Sequence, residues 1–376
     1  MNILFVLEYY QPYIGGAEIV FKNVCEGLAQ RDHRVTVVTS RIINTKSDEV
    51  INGVTVHRVA LPRAGTRYWF TLFSIPQVLK YARSADIVHT TTYNGAFPAW
   101  LASKLLGKKC VITVHEILGQ KWRDFPSVNR FTAWLHQFLE RKIISLSFEK
   151  YVAVSKYAKK SIINLGIDNE KIKVIYNGVD LELFNPKKEQ KDKIRQKLNL
   201  KNDFVYMYFG RPGISKGVRY LIEAVPLISG RIPNAKLLII LAHEPKMGYA
   251  KIKNMISELK IEDRIVLMDP VPRVQLPDFI STSDCVVVPS LTEGFGFTAV
   301  EACTMGIPVV ASNAGSLPEV IFGKSVLVEP GSPEALAEGV ELVYKGEMET
   351  TSKKIFYWED CIEQYLTVYQ EVFNDE

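Results

Sequence analysis

Cysteine is sparse and unpatterned in this 376-residue chain. The five, Cys25, Cys110, Cys285, Cys303 and Cys361, form no CxxC and no even framework. A disulfide scaffold and a thiolate zinc site are therefore excluded, and the cysteines read as reduced packing residues. The six histidines have no metal-ligand spacing either. No apolar run reaches 18 residues, and "KLLIILA" (236–242) has the length of a buried strand, not of a spanning helix. The opening "MNILFVLEYY" lacks a basic n-region and a cleavage site, so a cytoplasmic protein is expected. A GxGxxG dinucleotide fingerprint is missing as well: Gly15-Gly16 stand eight residues beyond the first strand, and "RVTVVTS" ends without a ribose-binding acid.

What is present is alternation. "NILFVL" (2–7), "RVTVVTS" (34–40), "DIVHTT" (86–91), "KCVITVH" (109–115) and "KYVAVS" (150–155) are apolar, β-branched runs separated by helical patterns such as "AEIVFKNVCEGLAQR" (17–31). Such runs are the mark of parallel strands buried on both faces. "KVIYNGVDLELFNP" (173–186) closes this series, and the charged segment 187–200 leads into a second one. Its strands are expected at 204–211, 235–242, 264–270, 284–290, 307–312 and 325–330. The fold class is thus α/β, with two doubly wound, Rossmann-like domains at 1–185 and 186–356 and a hinge near 177–190. An amphipathic helix at 357–376 is expected to pack back toward the N-terminal domain. Ligands in such folds sit beyond the carboxyl ends of the strands, which directs attention to a cleft between the halves.

Charge is divided unevenly. Residues 1–185 hold 24 Lys+Arg against 15 Asp+Glu, a balance of +9, while the remainder holds 22 against 26, a balance of −4. A basic half suits nucleic acid, an anionic membrane face or a phosphorylated ligand.

Candidate chemistry concentrates in "PSLTEGFGFTAVEACTMGIPVVASNAGSLPEV" (289–320), where Glu293 and Glu301 stand eight apart around Gly294 and Gly296. With a helix beginning near Phe297, the amides of Phe295, Gly296, Phe297 and Thr298 gather at a helix N-terminus, which attracts an anion such as a phosphate. Carboxylates beside that anion are better acceptors for hydroxyls, as on a sugar and a ribose. The combination describes a nucleotide-sugar. Alone, either glutamate would read as a solvated position. A second cluster, "YFGRPGISKGVRYLIEA" (208–224), sets Arg211 and Lys216 after a strand among Gly210, Gly213 and Gly217. A planar donor fork and a compact charge together neutralise a diphosphate, although a surface pair of basics is the bland alternative. In the first half, Gly16 opens a helix mouth, and His115 ends a strand where it could hydrogen-bond a sugar. His89 ends another strand in the same way and reads as structural. No DxD aspartate pair flanks an apolar strand, so no metal and no other cofactor is expected.

"EGFGFTAVE" with "GIPVVAS", "GRPGISKG", "GGAE", "VIYNGVD" and "WEDCIEQYLTVY" together resemble the retaining GT-B glycosyltransferases of family 4 over nearly the whole chain, in the family's order. The resemblance implies a nucleotide-sugar donor held by the second domain and a glycan, lipid-linked or small-molecule acceptor held by the first. Carried over by position, Glu293 would bind donor-sugar hydroxyls, Glu301 the ribose, and Arg211 and Lys216 the departing diphosphate. Gly16 would approach the phosphate or acceptor, and His115 would touch the sugar. Where the family often has a Gly-x-Gly-Pro loop, this chain has "LAHEPKMG" (241–248), which leaves UDP and GDP donors both open. A sugar-nucleotide epimerase of the same fold and an idle sugar-nucleotide-binding subunit are the rival readings. Basic residues interleaved with aromatics at 61–73 and 119–142 suit a peripheral membrane contact, or a core helix at 128–142 with a solvated basic face. No nucleic-acid module accompanies them.

Overall fold

The computed structural model describes residues 1–13, 15–62, 66–123, 125, 128–186 and 191–374. Parts of the segments 61–73, 119–142 and 187–200 singled out above lie outside the described residues.

The chain forms two compact units, Met1–Gly178 with Phe356–Glu376, and Val179–Ile355. In the first, the described strands are β1 (Asn2–Val6), β2 (Arg34–Ser40), β3 (Asp48–Ile51), β4 (Val54–Val59), β5 (Ile87–Thr91), β6 (Lys109–Val114), β7 (Lys150–Ala153) and β8 (Ile172–Val174). They lie in the order β3-β4-β2-β1-β5-β6-β7-β8, parallel except for the β3–β4 hairpin. Buried β-branched residues such as Val35, Val37, Val38, Val111 and Ile112 make these strands continuous apolar ribbons covered on both faces. The hairpin is not among the strands expected from sequence. Its turn, Asn52-Gly53, has φ of 48° and 83° at the two residues, and β4 alternates in and out instead of running apolar throughout.

In the second unit the strands are β9 (Phe204–Gly210), β10 (Ala235–Leu241), β11 (Ile265–Met268), β12 (Cys285–Val288), β13 (Val309–Ser312), β14 (Gly323–Val328) and β15 (Glu349–Thr351). Their order is β11-β10-β9-β12-β13-β14-β15, with only β15 antiparallel. The short edge strand β15 is fully exposed and polar, and therefore carries no apolar signal. Connections run outward in both directions from β9 and β12, so their shared edge is the topological switch point of this sheet. In the first unit the same reasoning places the switch between β1 and β5.

Both boundaries differ from those read off the sequence. The first unit ends at Gly178, not 185, because Phe184 is fully buried under the guanidinium of Arg273, 5.1 Å from its ring centre, inside the second unit. On the other side, a Cβ at Gly178 would fall 2.6 Å from the Trp358 backbone, and Tyr176 meets Phe356 edge-on at 5.8 Å.

The helix Trp358–Asn374 belongs to the first unit, where it packs against Gly16–Ala29. Two of its tyrosines enter the core. Tyr369 Oη lies 2.5 Å from His89 Nδ1, His89 Nε2 lies 2.9 Å from Thr113 Oγ1, and Thr113 Oγ1 lies 3.0 Å from Tyr365 Oη. His89 is therefore a structural hub. Burial, with the nearby His115, holds its pKa down to about 3, and burial holds His115 down to about 4. Both stay neutral in the fold at pH values where an unfolded histidine, with a pKa of about 6.5, takes up a proton. The unfolded chain then binds more protons, so stability falls as pH drops from about 6.5 toward 4. Urea unfolding at pH 7, 6 and 5 should show this slope, and His115→Asn should make it shallower. Parallel curves for the two proteins would refute the assignment.

Candidate active site

The loops after β9 and β12 meet at the switch point of the second unit. Gly217, at φ +65°, is packed so closely that a Cβ would lie 1.8 Å from the Pro289 carbonyl oxygen. Leu291 N–H donates to the Ser215 carbonyl at 2.8 Å, and Tyr208 Oη donates to the Arg211 carbonyl at 2.8 Å. Backbone is therefore stacked on backbone, and only glycine fits between. This contact brings two of the expected site residues together. Lys216 Nζ sits 2.8 and 2.9 Å from the two carboxylate oxygens of Glu293.

Glu293 is 8% exposed and also accepts from Ser290 Oγ at 2.8 Å. Its main-chain carbonyl accepts from Ser316 N at 3.0 Å and from Ser316 Oγ at 3.2 Å. A Cβ at Gly315 would come within 2.5 Å of the Glu293 amide nitrogen. The segment "NAGS" thus clamps the glutamate from the far side. Ser290, Gly315 and Ser316 were not selected from sequence, although a Gly-Ser pair after an apolar strand is the available signal.

Gly296 adopts φ +89°, ψ 54° as the N-cap of the helix Phe297–Thr304. Its missing side chain makes room for Leu317 Cδ2, which would be 2.8 Å from a Cβ there. Phe295 is buried and meets Phe297 edge-on at 5.1 Å, which fixes the entry of the chain into the helix. The helix start leaves the first amide groups of Phe297 and Thr298 without intrahelical partners.

Glu301 is not an exposed helix position. It is 2% exposed, and its Oε1 receives Arg273 Nη2 at 2.5 Å. Burial raises its carboxyl above the usual range, against the lowering pull of Arg273. Arg273, on the segment between β11 and β12, was missed because a single arginine in "PVPRVQL" carries no pattern. Phe184 beneath the guanidinium and Glu301 at its tip hold that side chain in place.

Gly210 ends β9 at φ +151°, and Arg211 follows it. The loop that departs from the family pattern runs from β10 into the helix Lys246–Glu258. A Cβ at Gly248 would be 2.4 Å from the Pro212 carbonyl oxygen, so this helix start is seated on the Arg211 loop. His243 Nε2 lies 2.8 Å from Asp269 Oδ1, an exposed pair at the ends of β10 and β11.

In the first unit, Gly16 is the exposed first residue of the helix Gly16–Ala29. His115 packs edge-on at 5.5 Å to Phe21 of that helix, five residues beyond Gly16 in the chain. The residue is partly exposed, while its Nε2 is buried with no hydrogen-bond partner among the described residues. Across the first switch point, Asn94 Nδ2 donates to the Glu8 carboxylate at 2.7 Å.

The family Glycosyltransferase Family 4 matches residues 14–183, and Glycosyl transferases group 1 matches residues 190–355. An uncharacterized glycosyltransferase of Methanocaldococcus jannaschii is 27% identical over 98% of both chains. A D-inositol 3-phosphate glycosyltransferase of Corynebacterium glutamicum is 25% identical, covering 96% of this chain and 93% of its own. The Anabaena protein HepE, crystallised with UDP, superposes with a TM-score of 0.77 at 21% identity, over 99% of this chain and all of its own, and shares the fold. The chain belongs to the GT-B glycosyltransferases of family 4.

Proposed function

We propose that the protein is a retaining hexosyltransferase that moves a sugar from a nucleoside diphosphate to a glycan, lipid-linked or small-molecule acceptor. The observation that carries this reading is the Lys216–Glu293 pair at the switch point, beside the helix mouth at Gly296. In the proposal, Glu293 receives hydroxyls of the donor sugar, and Glu301 receives the ribose hydroxyls on the oxygen that Arg273 does not take. Amides at Phe295–Thr298 hold sugar and phosphate, with Gly294 giving the backbone room.

Arg211 and Lys216 stabilise the charge that develops on the departing diphosphate. The C1–oxygen bond to that diphosphate breaks while the acceptor oxygen attacks on the same face. A diphosphate oxygen then takes the acceptor's proton, so configuration is kept and no separate base is needed. His115 offers its unpartnered Nε2 to the sugar, and Gly16 lets donor phosphate or acceptor approach. Two protein cations fill the place of a metal in this scheme, so a chelator should leave turnover unchanged.

The ligand of the Anabaena neighbour makes UDP-sugars the first donors to try, and the name of the Corynebacterium relative suggests phosphorylated polyol acceptors. A thermal-shift series with UDP-, GDP- and ADP-glucose tests the donor site. A ligand at ~100 times its Kd stabilises the fold by roughly 2.7 kcal/mol. NMR of the product anomer then tests retention. An inverted linkage would rule out same-face attack, and an epimerised nucleotide-sugar with no transfer product would replace the transferase by the epimerase.

A further inference from the structure

The helix Arg130–Ile144 does not behave as a core helix with a solvated basic face. It buries Ala133, Glu140 and Ile144 and leaves its apolar side in solvent, with Phe131 at 70%, Trp134 at 51% and Phe138 at 43% exposure. Trp134 stacks on Phe138 at 5.7 Å. Beside this helix, the helices Thr66–Phe73 and Ala96–Leu106 close an open groove of about 630 Å³, a size suited to a ligand. Leu72, Phe97, Leu139, Trp122, His136 and Lys142 are among the residues that line it. Exposed apolar surface of this extent marks a binding surface more often than an accident of composition.

The polar groups in the groove have a common sense. Lys142 has no carboxylate partner among the described residues and lies over the Phe138 ring at 5.6 Å. Trp122 stacks on His136 at 4.4 Å, and its indole N–H is buried without an acceptor among the described residues. Arg123 and Arg141 line an adjoining cavity across the same helix. Glu140, on the same helix, is already engaged by Tyr93 Oη at 3.0 Å and by the Gly119 amide at 2.8 Å. An apolar trough with a cation and an orphaned donor in its wall matches a hydrocarbon chain that ends in a phosphate.

We propose that this groove takes the chain of a lipid phosphate, with the phosphate at Lys142 and Trp122, and that the acceptor is therefore lipid-linked. This rests on the transferase reading and names its acceptor class. Among the described residues no helix is long and apolar enough to cross a membrane.

The probe is n-dodecyl phosphate below its micelle-forming concentration, titrated calorimetrically into the full chain with no nucleotide present. Each methylene removed should weaken binding about fourfold, so decyl phosphate should bind about 15-fold less tightly. Inorganic phosphate should not bind at these concentrations. Leu72→Asp and Leu139→Asp, at positions 55% and 40% exposed, should each lose at least about tenfold in dodecyl phosphate affinity while the UDP-dependent thermal shift stays intact. Lys142→Met should keep the chain-length dependence and lose about tenfold overall.

Equal affinity for decyl and dodecyl phosphate, or unchanged binding by both leucine variants, overturns the proposal. So does binding of phosphatidylglycerol vesicles without binding of monomeric dodecyl phosphate, which would make the face a bilayer contact or a seat for a partner helix. A chain that binds dodecyl phosphate and no nucleotide-sugar upholds the groove and sinks the donor reading. The reverse result overturns the groove alone.

Discussion

Lys216→Ala is expected to lower turnover by about 10²- to 10³-fold, the loss seen when a charge-stabilising donor is removed from a transition state. The same change leaves Glu293, 8% exposed, without its cation. That costs about 1–3 kcal/mol, less than a fully buried pair because the Lys216 side chain is 37% exposed. The two losses have different origins and can be separated. In the double variant Lys216→Ala/Glu293→Gln the buried carboxylate is gone and Ser290 can still donate to the amide oxygen, so melting temperature should return toward wild type. Turnover should not return, because the departing diphosphate still lacks its cation. Recovery of turnover in the double variant would mean that Lys216 serves only to neutralise Glu293.

Arg273→Ala is expected to weaken UDP binding by about 10- to 100-fold near neutral pH, in line with about 1.5–3 kcal/mol for a charged hydrogen bond. Its effect should depend on pH. Burial already raises the Glu301 carboxyl, and Arg273 supplies the opposing pull. Without the guanidinium the pKa moves further up, so the carboxyl that a ribose needs as an acceptor is protonated over a wider range. Raising the pH deprotonates it and should restore part of the affinity, whereas Glu301→Gln should bind weakly at every pH. Calorimetric titration of UDP between pH 6 and 9 reads all three proteins. A flat profile for Arg273→Ala would remove Glu301 from the nucleotide site.

Glu301 also affects stability in its own right. A carboxyl raised in the fold favours the protonated state, so its contribution is fully present below the unfolded value, near 4.5, and is lost as pH rises through the folded pKa. The histidines act in the opposite direction, and the two slopes belong to different units.

The parallel strands were legible because burial on both faces demands continuous β-branched runs, and these stand out in a sequence. Glu293 and Lys216 were legible because each follows such a strand beside glycines that a close backbone crossing requires. What escaped shares a different physics. The β3–β4 hairpin alternates polar and apolar, and β15 has no apolar residue to signal it. Arg273 and Ser316 act through Glu301 and Glu293, partners distant in the chain, and such pairing leaves no local periodicity. Ser290 reaches Glu293 from only three residues away but is one serine among many. Phe184 illustrates the same point: an apolar residue shows that it will be buried, not in which unit. The sequence left two readings of Arg130–Ile144 open because amphipathic spacing shows that two faces differ and not which is buried, and this helix turns the aromatic one outward.

Tyr365 and Tyr369 complete the hydrogen-bonded core of the first unit from residues near the end of the chain. Every residue of the second unit precedes the helix Trp358–Asn374 in the chain, so all of them are synthesised before the first unit receives that helix. The leading domain therefore cannot complete the packing of β5 and β6 before the second has been synthesised. Until residues 358–374 emerge, His89 and Thr113 lack their tyrosine partners, and the basic leading half waits as an incomplete nascent fold.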